Sequence, residues 1–335
     1  MKIDFVIAWV DGNDSAWQAE KKKWEATNPE QELAKWNDGE ARYRDWDLLR
    51  YWFRGIEKYT PWVNKVFFVT WGHVPEWLDT SNEKLVIVKH EDFIPAKYLP
   101  TFNSHCIELN LHNIKELSDN FVYFNDDMFM LKETSQELFF KNGLPCDSAI
   151  VNPVQMIQNG IRAEINDMYL INDRFDKKNV IRENPLKWFN IKYGKKLIRT
   201  ILMMPFNTFP GFYIFHLPSS FNKKTFCEVW ERYEAVLDKT CSHKFRMSTD
   251  VNQWLLEFWQ YCKGDFFPRR ANAGQVYERM SDFQRMCDTI KEQKCNMICC
   301  NDPGNELEYD EFIKRKEQLA KAFESILKEK SNYEL

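Results

Sequence analysis

Apolar residues in the first third of the chain gather in short uninterrupted runs. Residues 3–10 (IDFVIAWV), 65–71 (KVFFVTW), 85–89 (LVIVK) and 121–125 (FVYFN) are rich in β-branched and aromatic side chains, and they predict strands buried on both faces. Between them the period changes. Leu48, Leu49, Trp52, Phe53 and Ile56 recur at helical spacing before Thr60-Pro61, which predicts a helix over 45–59, and another is expected from about Ser104 to Leu117. Strands alternating with helices predict an α/β open sheet, whose ligands bind outside the carboxyl ends of the strands.

Beyond residue 150 the pattern loosens. Residues 154–205 are basic and irregular and read as an inserted, partly helical lobe or lid; helices are expected at 222–238, about 248–262, and on the surface over 306–331. No repeat or composition break divides the chain, so residues 1–335 are expected to form one domain, long enough for a large core.

Composition narrows the classes. With 46 basic and 50 acidic residues the net charge is −4, which argues against a nucleic-acid partner. The 16% aromatic content is high and is compatible with carbohydrate handling. The start MKIDFVIAWVDG has too short an apolar run for a signal peptide, so a cytoplasmic location is expected. Nine cysteines, an odd number, are then expected to be reduced thiols. The group Cys287, Cys295, Cys299 and Cys300 lacks the paired spacing of a zinc site.

Three clusters could carry chemistry. Asn125-Asp126-Asp127 closes an expected strand, and adjacent carboxylates there suit a hard divalent ion bridging to a diphosphate, Mg²⁺ or Mn²⁺. Asp11-Gly12 ends the first strand. In LPTFNSHCIELNLH (99–112), a helix capped by Ser104 would put His105, Glu108 and His112 on one face, either as a polar face, as a zinc site of unfamiliar spacing, or presenting Asn103, His105 and Glu108 to a substrate. His216, in the apolar run FYIFHLPSSF, is either a core histidine or a general base. Arg246 is either an ordinary i, i+4 partner of Asp250 or a guanidinium fork for phosphate. Asn301-Asp302 reads as a polar turn.

Taken in order, these segments resemble the Stealth family of sugar-phosphate transferases. The resemblance runs through IDFVIAWVDGNDSAW (3–17), RYRDWDLLRYWFRGIEKYTPWVNKVFFVTWGHVPEWL (42–78), LPTFNSHCIE, FVYFNDDMFM, FHLPSSF with FRMSTDVNQW, and the CNDPG turn. It departs from the family pattern at Ser15, Leu48 and Pro303-Gly304. It implies one Stealth-type catalytic domain on a Rossmann-like, GT-A-like nucleotide-sugar-binding sheet. A hexose- or N-acetylhexosamine-1-phosphate would pass from a UDP-sugar to a hydroxyl of a lipid-linked or polymeric glycan, with UMP released. Asp11 and Gly12 would meet the nucleotide, Arg44 and Asn103 would hold phosphate or sugar hydroxyls, and Asp127 with Asp302 would hold Mg²⁺ or Mn²⁺. Arg246 would neutralise phosphate, and His216, with His105 as second choice, would be the base. The competing readings are a conventional metal-dependent glycosyltransferase releasing UDP and a glycan-binding module without catalysis. The basic stretch 174–199 is either a solvated loop or a contact with anionic lipid or substrate.

Overall fold

The computed structural model describes residues 1–27, 45–154, 162–278, 281–302 and 308–335. In chain order the elements are β1 (Asp4–Ala8), α1 (Ser15–Thr27), α2 (Leu49–Tyr59), β2 (Val66–Thr70), β3 (Leu85–Lys89), α3 (His90–Phe93), α4 (Ser104–Asn110), β4 (Asn120–Asn125), β5 (Met128–Met130), β6 (Phe140–Lys141) and β7 (Leu144–Asp147). They continue with α5 (Arg162–Arg174), α6 (Lys177–Glu183), α7 (Pro185–Trp188), α8 (Leu197–Leu202), β8 (Ser219–Asn222), α9 (Lys223–Ser242), α10 (Gln253–Lys263), β9 (Phe267–Pro268), β10 (Gly274–Glu278), α11 (Phe283–Lys291), β11 (Met297–Asn301) and α12 (Tyr309–Glu324).

The main sheet runs β3-β2-β1-β4-β8, the first four strands parallel and β8 antiparallel at the edge. This is the expected α/β open sheet, and its 3-2-1-4 order puts the point where the strand order reverses between β1 and β4. Both faces are covered, which is why the strand runs are continuously apolar. Phe5, Phe68 and Phe124 pack with Trp52 and Phe53 of α2, while Val6, Phe67 and Phe121 face the core shared with α4, α9 and α10. A smaller sheet, β10-β11-β5, continues the chain directly beyond β4.

Several boundaries differ from expectation. The helix foreseen from Ser104 to Leu117 is a short α4 followed by a 3₁₀ turn over Leu111–Asn113, and its cap is Asn103, whose side chain accepts from the His105 amide. α10 begins at Gln253, because the chain from 243 to 252 is folded around Asp250 instead. The last helix is not a surface appendage: Phe312, Leu319, Ala322 and Phe323 are buried in the first core. Part of the stretch read only as polar, before residue 43, is the helix α1, opened by Asp14, whose side chain accepts from the Trp17 amide at 2.7 Å. No helix among the described residues is long and apolar enough to cross a membrane.

Candidate functional site

The carboxyl ends of β1 and β4 are in register, Ala8 beside Asn125, so Asp11 and Asp126-Asp127 flank the crevice where the strand order reverses. On the β1 side, Asp11 folds into a tight turn. Its carboxylate accepts from the Asn13 amide at 2.8 Å, and its own amide donates to Nε2 of His73, beyond β2, at 2.7 Å. Gly12 is buried and its carbonyl accepts from Gln18. The burial of His73 lowers its pKa, which favours the neutral ring that accepts this bond.

On the β4 side, Asp127 is the joint between the two sheets. Its carbonyl accepts from the Cys300 amide at 2.8 Å, which fixes the backbone against β11. Its carboxylate meets two residues from far along the chain, since donor atoms of Asp127, His216 and Cys299 all lie within 4.8 Å of one another. The Cys299 thiol donates to Oδ2 of Asp127 at 3.4 Å, whereas Oδ1 is buried with no hydrogen-bond partner. A buried carboxylate oxygen left bare is costly, and a cation is a partner that would satisfy it. This donor set therefore fits a divalent ion. With sulfur and nitrogen included it suits a borderline ion better than Mg²⁺, which prefers oxygen.

His216 sits on a backbone with φ of +44°, a conformation uncommon for a non-glycine residue. The approach to it is clamped. Val151 bridges Phe212, the Asn152 amide donates to the Gly211 carbonyl at 3.0 Å, and a side chain on Gly211 would collide with the Asn152 carbonyl at 2.7 Å. Behind His216 lies a cleft bounded by Asp147, Gln253, Glu257 and Arg269. Asp147 pairs with Arg269 at 3.1 Å, and burial raises the Glu257 carboxyl to about 8, so it is largely protonated at neutral pH.

A third group hangs over the same crevice from the segment before α10. Asp250 is fully buried and accepts from Asn103 Nδ2 at 2.9 Å and the Met247 amide at 2.9 Å; it also meets Nδ1 of His105 at 3.2 Å and Nδ1 of His243 at 2.6 Å. Burial alone would raise the Asp250 pKa, but the bonds from His105 and His243 bring it below its ordinary value. Burial in turn lowers the pKa of His105. Arg246 is thus not the i, i+4 partner of Asp250: this segment is not helical, and its guanidinium donates to the Ser104 hydroxyl at the head of α4. Burial raises the pKa of Tyr123 on β4 well above its ordinary value, the charges of Glu108, Asp126 and Asp127 add to the rise, and that of Arg246 opposes it.

The structure therefore brings together Asp127 and His216, and it sets Asn103, His105 and Arg246 as a neighbouring cluster across β4. Asp302 is not among the grouped donors; its carboxylate accepts from Trp46 Nε1 at 2.7 Å. Arg44 lies outside the described residues. His112 leaves the face of His105 and packs against the rings of Phe226 and Trp230, so the zinc reading of that helix has no geometry behind it. All nine cysteines are free thiols, and among the described residues Cys299 is the member of its group gathered with other candidate ligands. Sequence reasoning considered Cys299 only within a cysteine group read for zinc, and it passed over His73 and His243. Only Cys299 carried a signal, at the end of the apolar run MIC before a polar turn.

Comparison with known proteins bears directly on this arrangement. Models of the Stealth protein conserved regions 1, 2 and 3 match residues 1–29, 42–146 and 215–261, which carry Asp11, Asp127, His216 and Arg246. The chain is 42% identical over 335 residues to a capsular polysaccharide phosphotransferase, WcwK, of Streptococcus pneumoniae, covering 99% of this chain and 98% of that one. The chain belongs to the Stealth family. Other relatives of this Stealth protein are the exopolysaccharide phosphotransferase cps2G of Lactiplantibacillus plantarum, 36% identical over 99% of this chain and 96% of that one, and the receptor polysaccharide phosphotransferase WefC of Streptococcus gordonii, 36% identical over 100% and 99%. The Stealth chain is an enzyme of the phosphotransferase class. Among solved structures it overlays weakly on mouse xyloside xylosyltransferase 1, with 12% identity, a TM-score of 0.37 and coverage of 91% and 100% of the two chains.

Proposed function

We propose that this Stealth protein transfers a hexose- or N-acetylhexosamine-1-phosphate from a UDP-sugar to a hydroxyl of a lipid-linked or polymeric glycan, in the assembly of a capsular or exopolysaccharide. The acceptor oxygen attacks the β-phosphorus, the bond from that phosphorus to the bridging oxygen breaks, and UMP leaves with the bond's electrons. The product is a phosphodiester, and the anomeric C–O bond stays intact. The single observation that supports this reading most is the grouping of Asp127, whose buried Oδ1 is bare, with His216 at the reversal point of the sheet.

In this reading the uridine end lies along Asp11 and Gly12, with the diphosphate towards the first turn of α1, where the helix dipole favours negative charge. A divalent ion at Asp127 supplies charge compensation on the diphosphate. Asp127 is held for that task by Cys299 and by the Cys300 amide. An imidazole nitrogen of His216 takes the acceptor proton. Arg246 presents donors to phosphate or sugar oxygens from the other side, on a segment that Asp250 keeps rigid; Asn103, expected to hold phosphate or sugar hydroxyls, is instead fully buried with its side-chain amide spent on Asp250, and it braces that segment. The protein would work at the cytoplasmic face of the membrane, where nucleotide sugars and lipid-linked glycans meet.

The test is to supply UDP-hexoses and UDP-N-acetylhexosamines, Mg²⁺ or Mn²⁺ and a polysaccharide acceptor, and to identify the released nucleotide. UMP with a phosphodiester ³¹P signal in the glycan is expected. UDP would mean that the glycosidic bond is the one broken and would replace this reading with conventional glycosyl transfer; no released nucleotide at all, with glycan binding unaffected by Asp127→Ala, would favour a binding module.

A further inference from the structure

The chain from Asn184 to Cys227 contains seven Lys or Arg residues and no Asp or Glu. Taking that +7 from the overall −4 leaves −11 on the rest of the protein, so the charge is strongly divided along the chain. Among the described residues the same stretch holds the largest gathering of exposed apolar side chains. Seven of the twelve exposed large apolar residues among the described ones fall between Leu186 and Phe206, and Leu186, Ile191, Ile198, Ile201, Leu202 and Phe206 are each at least 48% exposed.

The arrangement is ordered. On α8, Ile198, Ile201 and Leu202 stand at i, i+3 and i+4 and share one face, while Thr200 is buried on the other, its hydroxyl accepting from the Val151 amide. Lys195 and Arg199 step with Ile198 and Leu202 at i, i+4 and i+3, i+7, so cations flank the apolar stripe. Several neighbouring cations are already tied inward: Lys177 to the carbonyls of Met203 and Phe206, and Lys192 to Pro268. Lys187 likewise donates to the Gly264 carbonyl and Arg199 to the Asn152 side chain, so these bonds stiffen the lobe and leave the outward face chiefly to Lys195 and the apolar residues.

We propose that this face of the lobe, α7 through α8, docks on the surface of an anionic bilayer, its apolar side chains entering the headgroup boundary and its cations meeting phosphate headgroups. The charge decides the occupant. A second copy packed on the same patch by twofold symmetry would set basic face against basic face, whereas anionic lipid complements it. The position also serves the site. Lys196 lies 4.0 Å from the centre of the Tyr213 ring and Arg199 5.4 Å, and Tyr213 leads directly to His216, so a docked lobe holds the crevice close to a lipid-borne acceptor. The inference extends the membrane-side location proposed above, but its test needs neither donor nor acceptor, so it can fail while the transfer reading stands, and the reverse.

The test is sedimentation of the full chain with phosphatidylcholine vesicles and with vesicles containing phosphatidylglycerol, at low and high salt. Wild type is expected to pellet with the anionic vesicles at low salt and to be released by salt. An Ile198→Glu/Leu202→Glu double variant, exposed and so expected to fold normally by circular dichroism, should lose about tenfold in partition, and Lys195→Glu should lose less and chiefly the salt-sensitive part. Wild type remaining in the supernatant with anionic vesicles, or a folded double variant that pellets like wild type, would overturn the proposal. So would wild type eluting as a dimer that the double variant dissociates, which would make the face a contact between copies.

Discussion

Two aspartates with buried carboxylate oxygens, Asp250 wholly buried and Asp127 partly, each stand beside histidine, and their hydrogen bonding separates them. Asp250 has its two oxygens filled by Asn103, His105, His243 and the Met247 amide. Asp127 has one oxygen bonded to Cys299 and the other bare, with His216 close by. A satisfied buried carboxylate holds chain segments in place, whereas an unsatisfied one is poised for a ligand. Residue type and neighbours are alike in the two places, so the difference in role rests on which lone pairs the fold has already used.

The comparison is broken most directly at the two aspartates. Asp127→Asn keeps size and removes charge, and it should lower turnover by about 10³-fold with an unchanged urea midpoint, as expected for loss of charge stabilisation at the reacting phosphate. A comparable fall in stability would put Asp127 in the same class as Asp250. Conversely, Asp250→Ala leaves two histidines and Asn103 without their shared acceptor, and should cost about 3 kcal/mol in urea denaturation. An Asp250→Ala protein of normal stability and no activity would reverse the assignment.

His216→Ala should reduce turnover by about 10²-fold with the fold intact. The same variant decides between base and ligand. Unchanged affinity for Mn²⁺ keeps His216 as base; weakened affinity makes it a ligand beside Asp127.

How much of this was readable in the chain follows from distance. The four parallel strands were legible because burial on both faces leaves runs such as VFFVT without polar interruption, and Asp11 and Asp127 followed from their place at strand ends. The short strand MFM of β5 was not, since three residues carry no period and its partner β11 lies far along the chain. For the same reason Cys299, 172 residues from Asp127, could not be joined to it. The Arg246–Asp250 spacing suggested a helical pair, but the buried hub at Asp250 overrode local preference. Asp302 followed from the resemblance alone, and its carboxylate is engaged by Trp46.

A histidine without an acidic partner gives the pH counterpart. His90 is buried at the end of β3 with Nδ1 unbonded, and burial pushes its pKa from 6.5 down to about 4. The unfolded chain takes up a proton that the folded one refuses, so this contribution is complete above about pH 6.5 and is lost as pH falls towards 4. At about pH 5 it amounts to about 2 kcal/mol. Urea midpoints at neutral pH and about pH 5 should converge for His90→Gln relative to wild type; an identical acid loss in both would place the titration elsewhere.

The smallest change probes what keeps the bare oxygen of Asp127 aimed. Cys299→Ala removes the thiol that donates to Oδ2, and the carboxylate gains freedom to rotate and share its charge between both oxygens. Turnover should fall about tenfold, the size of one lost hydrogen bond to a charged group, with Cys299→Ser recovering most of it. If Cys299 were itself a ligand, serine would not substitute for sulfur, and affinity for a thiophilic ion such as Cd²⁺ would collapse in both variants. Rescue by serine together with unchanged Cd²⁺ affinity therefore leaves the thiol as the group that positions Asp127, and it assigns the ion to oxygen.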